Sequence, residues 1–229
     1  MKSYKDVKSR IKTWLIPNFG DKKLGHISKQ AVAKFHQSMR ETPPTANRCL
    51  SLLSSMFRYA IEQGLTGDNP CRGISKIKEK SSKKRVLSND EMQRFMAALI
   101  EAMDTLQGKA AFLLLATGKR KQELLSAQWS NVDWEAKKIF IPDTKNGEPG
   151  FAMLNTQACS VLKQMEQERN ENSDWIFPSK HSKAGRLTDI RRTFKTICTK
   201  AGIEDFTIHG LRRAYATNLI NADVSLFQI

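Results

Sequence analysis

Cysteine is scarce: only Cys49, Cys71, Cys159 and Cys198 occur, with no Cys-x-x-Cys pair and no histidine at ligand spacing. That argues against a zinc site and against a disulfide framework, and leaves four mostly buried thiols as the expectation. Long apolar runs are missing as well. The stretch from Ala110 to Gly118 is flanked by Lys109 and Lys119 and is far too short to span a bilayer. The first residues, Met1 to Asp6, are charged with no apolar stretch behind them, so no secretory signal is read and a cytoplasmic protein is expected. Neither Gly-x-x-x-x-Gly-Lys-Ser/Thr nor Gly-x-Gly-x-x-Gly occurs, which removes the common nucleotide-binding loops. Acidic residues are the last shortage, 23 against 38 Lys plus Arg, a net charge of +15 that points to a polyanionic partner.

What is present is a globular balance, 40% hydrophobic and 27% charged over 229 residues, enough for one large or two small domains. The charge is unevenly spread. Up to Val86 there are 19 basic and 6 acidic residues, net +13; the remainder has 19 and 17, net +2. The first part reads as helices: Val7, Ile11 and Leu15 mark one, Val32, Phe35, His36 and Met39 behind Ser28 a second, and Leu50, Leu53, Phe57, Ala60 and Ile61 after Pro43-Pro44 a third. Residues 1–74 therefore form a helical domain. A basic linker follows over 75–86, with six Lys or Arg between Ser75 and Arg85.

The second domain, 87–229, opens on Ser88 and Glu91, a capping box flanked by Leu87 and Met92 as its hydrophobic staple. Ala110 to Ala116 makes a buried helix ending at Thr117-Gly118. Short strand-like pieces around Ile139–Ile141 and Phe151–Leu154 enclose Asn146-Gly147, a strong hairpin signal. Helices return over 155–169, over 188–201 and at the carboxyl end. The domain is predicted to be mainly α with a small antiparallel sheet.

Three basic constellations invite chemistry, and each has surface charge as its plain alternative. Thr117-Gly118-Lys119-Arg120-Lys121-Gln122-Glu123 hands the chain from a buried helix to an arginine, a setting that suits a phosphate near the backbone. Lys145 sits beside the hairpin turn. His209-Gly210-Leu211-Arg212-Arg213 puts an imidazole and a guanidinium three residues apart at the start of a helix, an oxyanion site or a capping histidine.

Together the three are more specific than any one. Ala116 to Leu125, Gln128-Trp129-Ser130-Asn131-Val132-Asp133, Thr144 to Gly147 and His209 to Thr217 fall in the order and places of the tyrosine recombinase (phage integrase) family, which the whole chain resembles. Asn69-Pro70-Cys71 before the linker is similar to that family's helical core-binding (SAM-like) domain. The resemblance implies breaking and rejoining of DNA at specific sites through a 3′-phosphotyrosine, without metal or cofactor. It gives Arg120 and Arg212 the non-bridging phosphate oxygens, Lys145 the proton for the 5′ leaving oxygen, His209 assistance in proton transfer, and Glu123 the orientation of Arg120. Lys22, Lys23, Lys29, Arg48, Arg58, Lys83, Lys84 and Arg85 are expected phosphate contacts on double-stranded DNA, and a homo-tetramer on two duplexes is expected of the full-length protein.

One part of the pattern departs. The tyrosines are Tyr4, Tyr59 and Tyr215, and Tyr215 stands where the family has a packing aromatic, with its helical phase toward the core. The family's nucleophile would lie beyond Ile229, so the chain reads as a minimal or shortened integrase that binds duplex DNA without cleaving it alone. The alternatives are a non-catalytic DNA-binding remnant or regulator of recombination, and a relative of type IB topoisomerases.

Overall fold

The computed structural model describes residues 2–79, 85–142, 148–169 and 173–221. The chain divides into two compact units, Met1–Ser82 and Lys83–Ile229.

In the first unit, α1 (Lys2–Arg10) runs through a wider π turn, Ile11–Leu15, into α2 (Ile16–Phe19). Pro17 explains the widening. Proline has no N–H to donate and its ring crowds the carbonyl four residues back, so the turn relaxes and the Ile16 N–H reaches the Ile11 carbonyl. The Ser28 hydroxyl accepts the Ala31 N–H at 3.2 Å and starts α3 (Lys29–Ser38); α4 (Pro43–Glu62) begins on its two prolines. Leu15, Phe19, Val32, Phe35, Leu50, Leu53 and Phe57 form the core, with Phe19 edge-on to Phe35. Gly64, at φ +68°, stops α4.

The segment read as a linker is not free at its start. The buried side chain of Asn47 accepts the Ile77 N–H at 2.9 Å and donates to the Ile77 carbonyl at 2.8 Å, while His36 bonds the same amide oxygen at 3.0 Å. Ile77 packs against the unit's core.

The second unit begins with α5 (Asn89–Glu101), capped reciprocally by Ser88 and Glu91. Next comes α6 (Leu106–Thr117), apolar on all sides and thus central: it packs against α5 and four later helices, α7 (Lys121–Leu125), α8 (Thr156–Gln167), α9 (Arg191–Lys200) and α10 (Ile208–Asn221). Phe95, Phe194 and Phe206 meet with ring centroids 5.6 to 6.0 Å apart and tie α5 to α9 and to the turn before α10. The sheet is antiparallel in the order β1 (Val132–Asp133), β2 (Lys138–Ile141), β3 (Gly150–Met153), with Ile139 opposite Val132 and Ala152. Strand β1 goes beyond the sequence expectation. The hairpin turn around Asn146-Gly147 lies outside the described residues.

The helix expected from residue 188 begins at Arg191. The Asp189 carboxylate accepts the N–H groups of Ile190 and Arg191, at 2.9 and 3.2 Å, and so sets the start. Burial pushes the thiols of Cys71 and Cys198 up to about 11, which keeps them unreactive. Among the described residues no helix is long and apolar enough to cross a membrane.

Candidate phosphate-binding site

Two chain segments build the site. At the end of α6 the backbone turns left-handed at Gly118, φ +60°, and the residue can have no side chain for a second reason: a Cβ there would lie 2.2 Å from Cδ1 of Tyr215. The turn delivers Arg120 to the start of α7. Glu123, only 7% exposed, receives the Arg120 backbone N–H at 3.1 Å on one oxygen and its guanidinium at 2.8 Å on the other. One carboxylate thus fixes both ends of the arginine and leaves the other guanidinium donors for a ligand.

The second segment is the first turn of α10. Gly210 packs so tightly on Phe206 that a Cβ would come within 2.5 Å of its ring, and the Thr207 hydroxyl accepts the Gly210 N–H at 3.2 Å. From this turn Arg212 reaches back and donates to the Gly118 carbonyl at 2.9 Å, the hydrogen bond that joins the two segments. His209 stands exposed at the rim. A cavity of about 450 Å³ is lined by Lys119, Arg120, Lys121, Arg191, His209 and Arg212, and a smaller one of about 190 Å³ beside Tyr215 shares Lys119, His209 and Arg212 with it.

The electrostatics are those of an anion site. Desolvation by burial lowers the pKa of Lys119, and repulsion from Arg212 and Arg120 lowers it further against the opposing pull of Glu123. Beside it, Asp189 would be raised by burial, yet hydrogen bonds from Lys121, at 2.8 Å, and Arg191 hold its carboxyl down at about 2. Lys121 and Arg191 are therefore paired. No hydrogen bond or ion pair among the described residues engages the Lys119 ammonium.

Arg120, Glu123, His209 and Arg212, singled out from the sequence, are thus together in space. Lys145, Lys83 and Lys84 lie outside the described residues. Lys22, Lys23, Lys29, Arg48 and Arg58 belong to the first unit and are exposed. Arg85, expected as a DNA contact, pairs its guanidinium with Glu91 and donates to the Glu204 carbonyl, at the start of α5. Tyr215 is half-buried over Gly118, at the edge of the core rather than within it. Lys119, Lys121, Asp189 and Arg191 were not foreseen as site residues. The first two stand inside the motif around Arg120, but nothing local distinguishes a lining lysine from a solvated one. No group of three or more His, Cys, Asp or Glu among the described residues is placed to hold a metal.

A helical unit followed by an α-rich unit with a three-stranded sheet, carrying two arginines and a histidine on one cavity, has the architecture of the tyrosine recombinases. The chain belongs to the phage integrase family: the model of that family matches residues 85–229, and the model of the phage integrase central domain matches residues 1–76. It is 30% identical over 200 residues to tyrosine recombinase XerD of Caulobacter vibrioides, covering 81% of this chain and 65% of that protein. It is 22% identical over 219 residues to a XerC-like tyrosine recombinase of Caldanaerobacter subterraneus, covering 77% of this chain and 55% of that one. The chain therefore spans about half to two thirds of the length of these curated relatives. In fold it resembles lambda integrase in a tetramer bound to a Holliday junction, TM-score 0.79 at 20% identity over 99% of this chain and 69% of that one. It also resembles the Tn1549 transposon integrase bound to transposon right-end DNA, TM-score 0.73 at 16% identity, covering 96% and 82%.

Proposed function

We propose that the chain carries the phosphate-handling site and the DNA-holding unit of a site-specific DNA recombinase. The observation that carries this reading is the convergence of Arg120 and Arg212, roughly ninety residues apart in sequence, on one cavity through the Gly118 carbonyl. Two guanidiniums so held match the geometry of a phosphodiester, and their charge counters the negative charge that grows as a fifth oxygen approaches phosphorus. Glu123 orients Arg120. His209, at the rim, exchanges protons with the attacking or leaving oxygen, and Lys145 is the proton donor to the 5′ oxygen. The attacking group is a tyrosine other than Tyr215, whose ring is held over Gly118.

The first unit supplies affinity. Arg48, Ser51, Ser55 and Arg58 are all exposed and lie along one face of α4, two cations with small hydroxyls between them, a surface suited to duplex phosphates. With Lys22, Lys23, Lys29, Lys83 and Lys84 it holds double-stranded DNA, and four copies act on two duplexes. The tetrameric lambda integrase of similar fold supports that assembly.

The test has two arms. Duplex binding, measured by fluorescence anisotropy against salt, is expected to be strongly salt-dependent, and the Arg120→Ala/Arg212→Ala pair to lower the log-log slope by about 0.9, one phosphate's worth. An unchanged slope would take the phosphate out of this site. On a pool of nicked suicide duplexes, denaturing gels are expected to show no covalent protein-DNA band for this chain alone. A covalent band that disappears in Tyr215→Phe would make Tyr215 the nucleophile.

A further inference from the structure

The cavity where the start of α7, α9 and the first turn of α10 meet holds more positive charge than the proposed phosphate chemistry uses. Two carboxylates serve it, and both are committed: Glu123 to Arg120, and Asp189 to Lys121 and Arg191. Arg212 is oriented by the neutral carbonyl of Gly118. Lys119 faces this cavity and its smaller neighbour from between Gly118 and Arg120, half-buried. No hydrogen bond or ion pair among the described residues engages its ammonium, and the attraction of Glu123 does not outweigh burial and the repulsion of Arg212 and Arg120.

A half-buried cation among other cations is unfavourable unless something compensates it. A structural lysine would reach solvent or a carboxylate. Lys119, half-buried on the wall of two cavities, makes no hydrogen bond or ion pair with a described carboxylate, because the left-handed turn at Gly118 fixes its backbone and the first turn of α10 brings Arg212 and His209 to its side. An anion between Lys119, Arg120 and Arg212 removes the repulsion at once.

We propose that Lys119 is a third phosphate ligand of this site, donating to the same phosphodiester that Arg120 and Arg212 hold. The proposal rests on the recombinase reading in taking a phosphodiester as the occupant. The two arginines contribute planar, fixed donors. Lys119 adds a compact charge on a flexible stem that can follow the phosphorus as its oxygens rearrange. Burial and the neighbouring guanidiniums lower the pKa of Lys119, and a bound phosphate opposes that shift, so binding is linked to proton uptake by this amine. The groups that bear on this titration are Arg120, Lys121 and Glu123 on α7 and its start, Arg191 on α9, and His209, Arg212, Arg213 and Tyr215 on α10.

The experiment uses the whole chain with 13C-labelled lysine, following the Cε resonances by NMR against pH with and without inorganic phosphate as probe. The Lys119 resonance is assigned by its absence from Lys119→Arg, and from Lys119→Gln should the arginine disturb the fold. Guanidinium signals of Arg120 and Arg212 are recorded in the same samples. Without phosphate, Lys119 is expected to titrate at lower pH than the surface lysines; with phosphate, its midpoint moves upward toward theirs, and Arg212→Ala reduces that movement. If the guanidinium signals respond to phosphate and Lys119 does not, the lysine is no ligand while the phosphate site stands. If none of the three responds, the site itself is refuted and the lysine with it.

Discussion

The first unit, up to Ser82, contains 16 basic and 6 acidic side chains and the second 22 and 17, so the two differ chiefly in their acids. In the first unit, ion pairing among the described residues is confined to Arg40 and Glu41, both exposed. In the second, carboxylates hold Lys109, Arg120, Lys121 and Lys200, among others. The comparison separates two uses of one residue type. Solvated cations set a field, long in reach but screened by salt. A cation held by a carboxylate loses net charge and gains a position, which is what bond-making at one phosphorus requires. Acidic residues are thus tools of the second unit and would be a cost in the first.

The division can be broken in several places. Positions in the second unit depend on its core, so the largest effect is expected from Phe95→Ala, in which a fully buried ring between Phe194 and Phe206 is lost at about 3–5 kcal/mol. Urea denaturation followed by tryptophan emission in a Trp14→Phe background reports the second unit alone, since Trp129, Trp134 and Trp175 all lie there. A loss under about 1 kcal/mol would mean that the aromatic cluster does not support the site. A smaller effect is expected at Asp189. Its carboxyl is depressed from 3.8 to about 2, so the stability it contributes is complete above its unfolded value and is lost as pH falls from about 4 to 2. Asp189→Asn should therefore be less stable than wild type at neutral pH, and the gap should close over that window; a gap constant with pH would show that the carboxylate charge contributes nothing. The smallest effect belongs to the first unit. Arg48→Gln and Arg58→Gln should each lower the salt slope of duplex binding by about 0.9 and leave the melting temperature unchanged. Unequal slopes would tell which of the two touches a phosphate.

The parts legible in the sequence are those whose cause is local. Ser88 and Glu91 lie three residues apart and need only each other to cap α5, and Gly118 ends α6 by a rule of backbone sterics. His209 and Arg212 share a helical face by spacing alone. What could not be read depends on distant partners or on too few residues. Strand β1 has two residues, too short for any alternation to register. Asn47 clasps Ile77 thirty residues later, and Arg85 finds a carbonyl beyond one hundred residues away, so neither leaves a local trace. Asp189 begins α9 by accepting two N–H groups and takes Lys121 from a different helix. Lys119 is of the same kind, since its surroundings exist only once α10 has docked against α6.

The grip of Glu123 on Arg120 bears on when the arginine is ordered. A free arginine side chain samples many rotamers, and ordering it costs about 2 kcal/mol. Here that disorder is surrendered when the protein folds, because one buried carboxylate fixes the backbone N–H and the guanidinium together. The entropy would be absent from an encounter with the proposed phosphate, which would meet a receptor already in shape. In the proposed reading that carboxylate would couple folding to DNA chemistry, and a change at Glu123 would be felt first as a looser arginine.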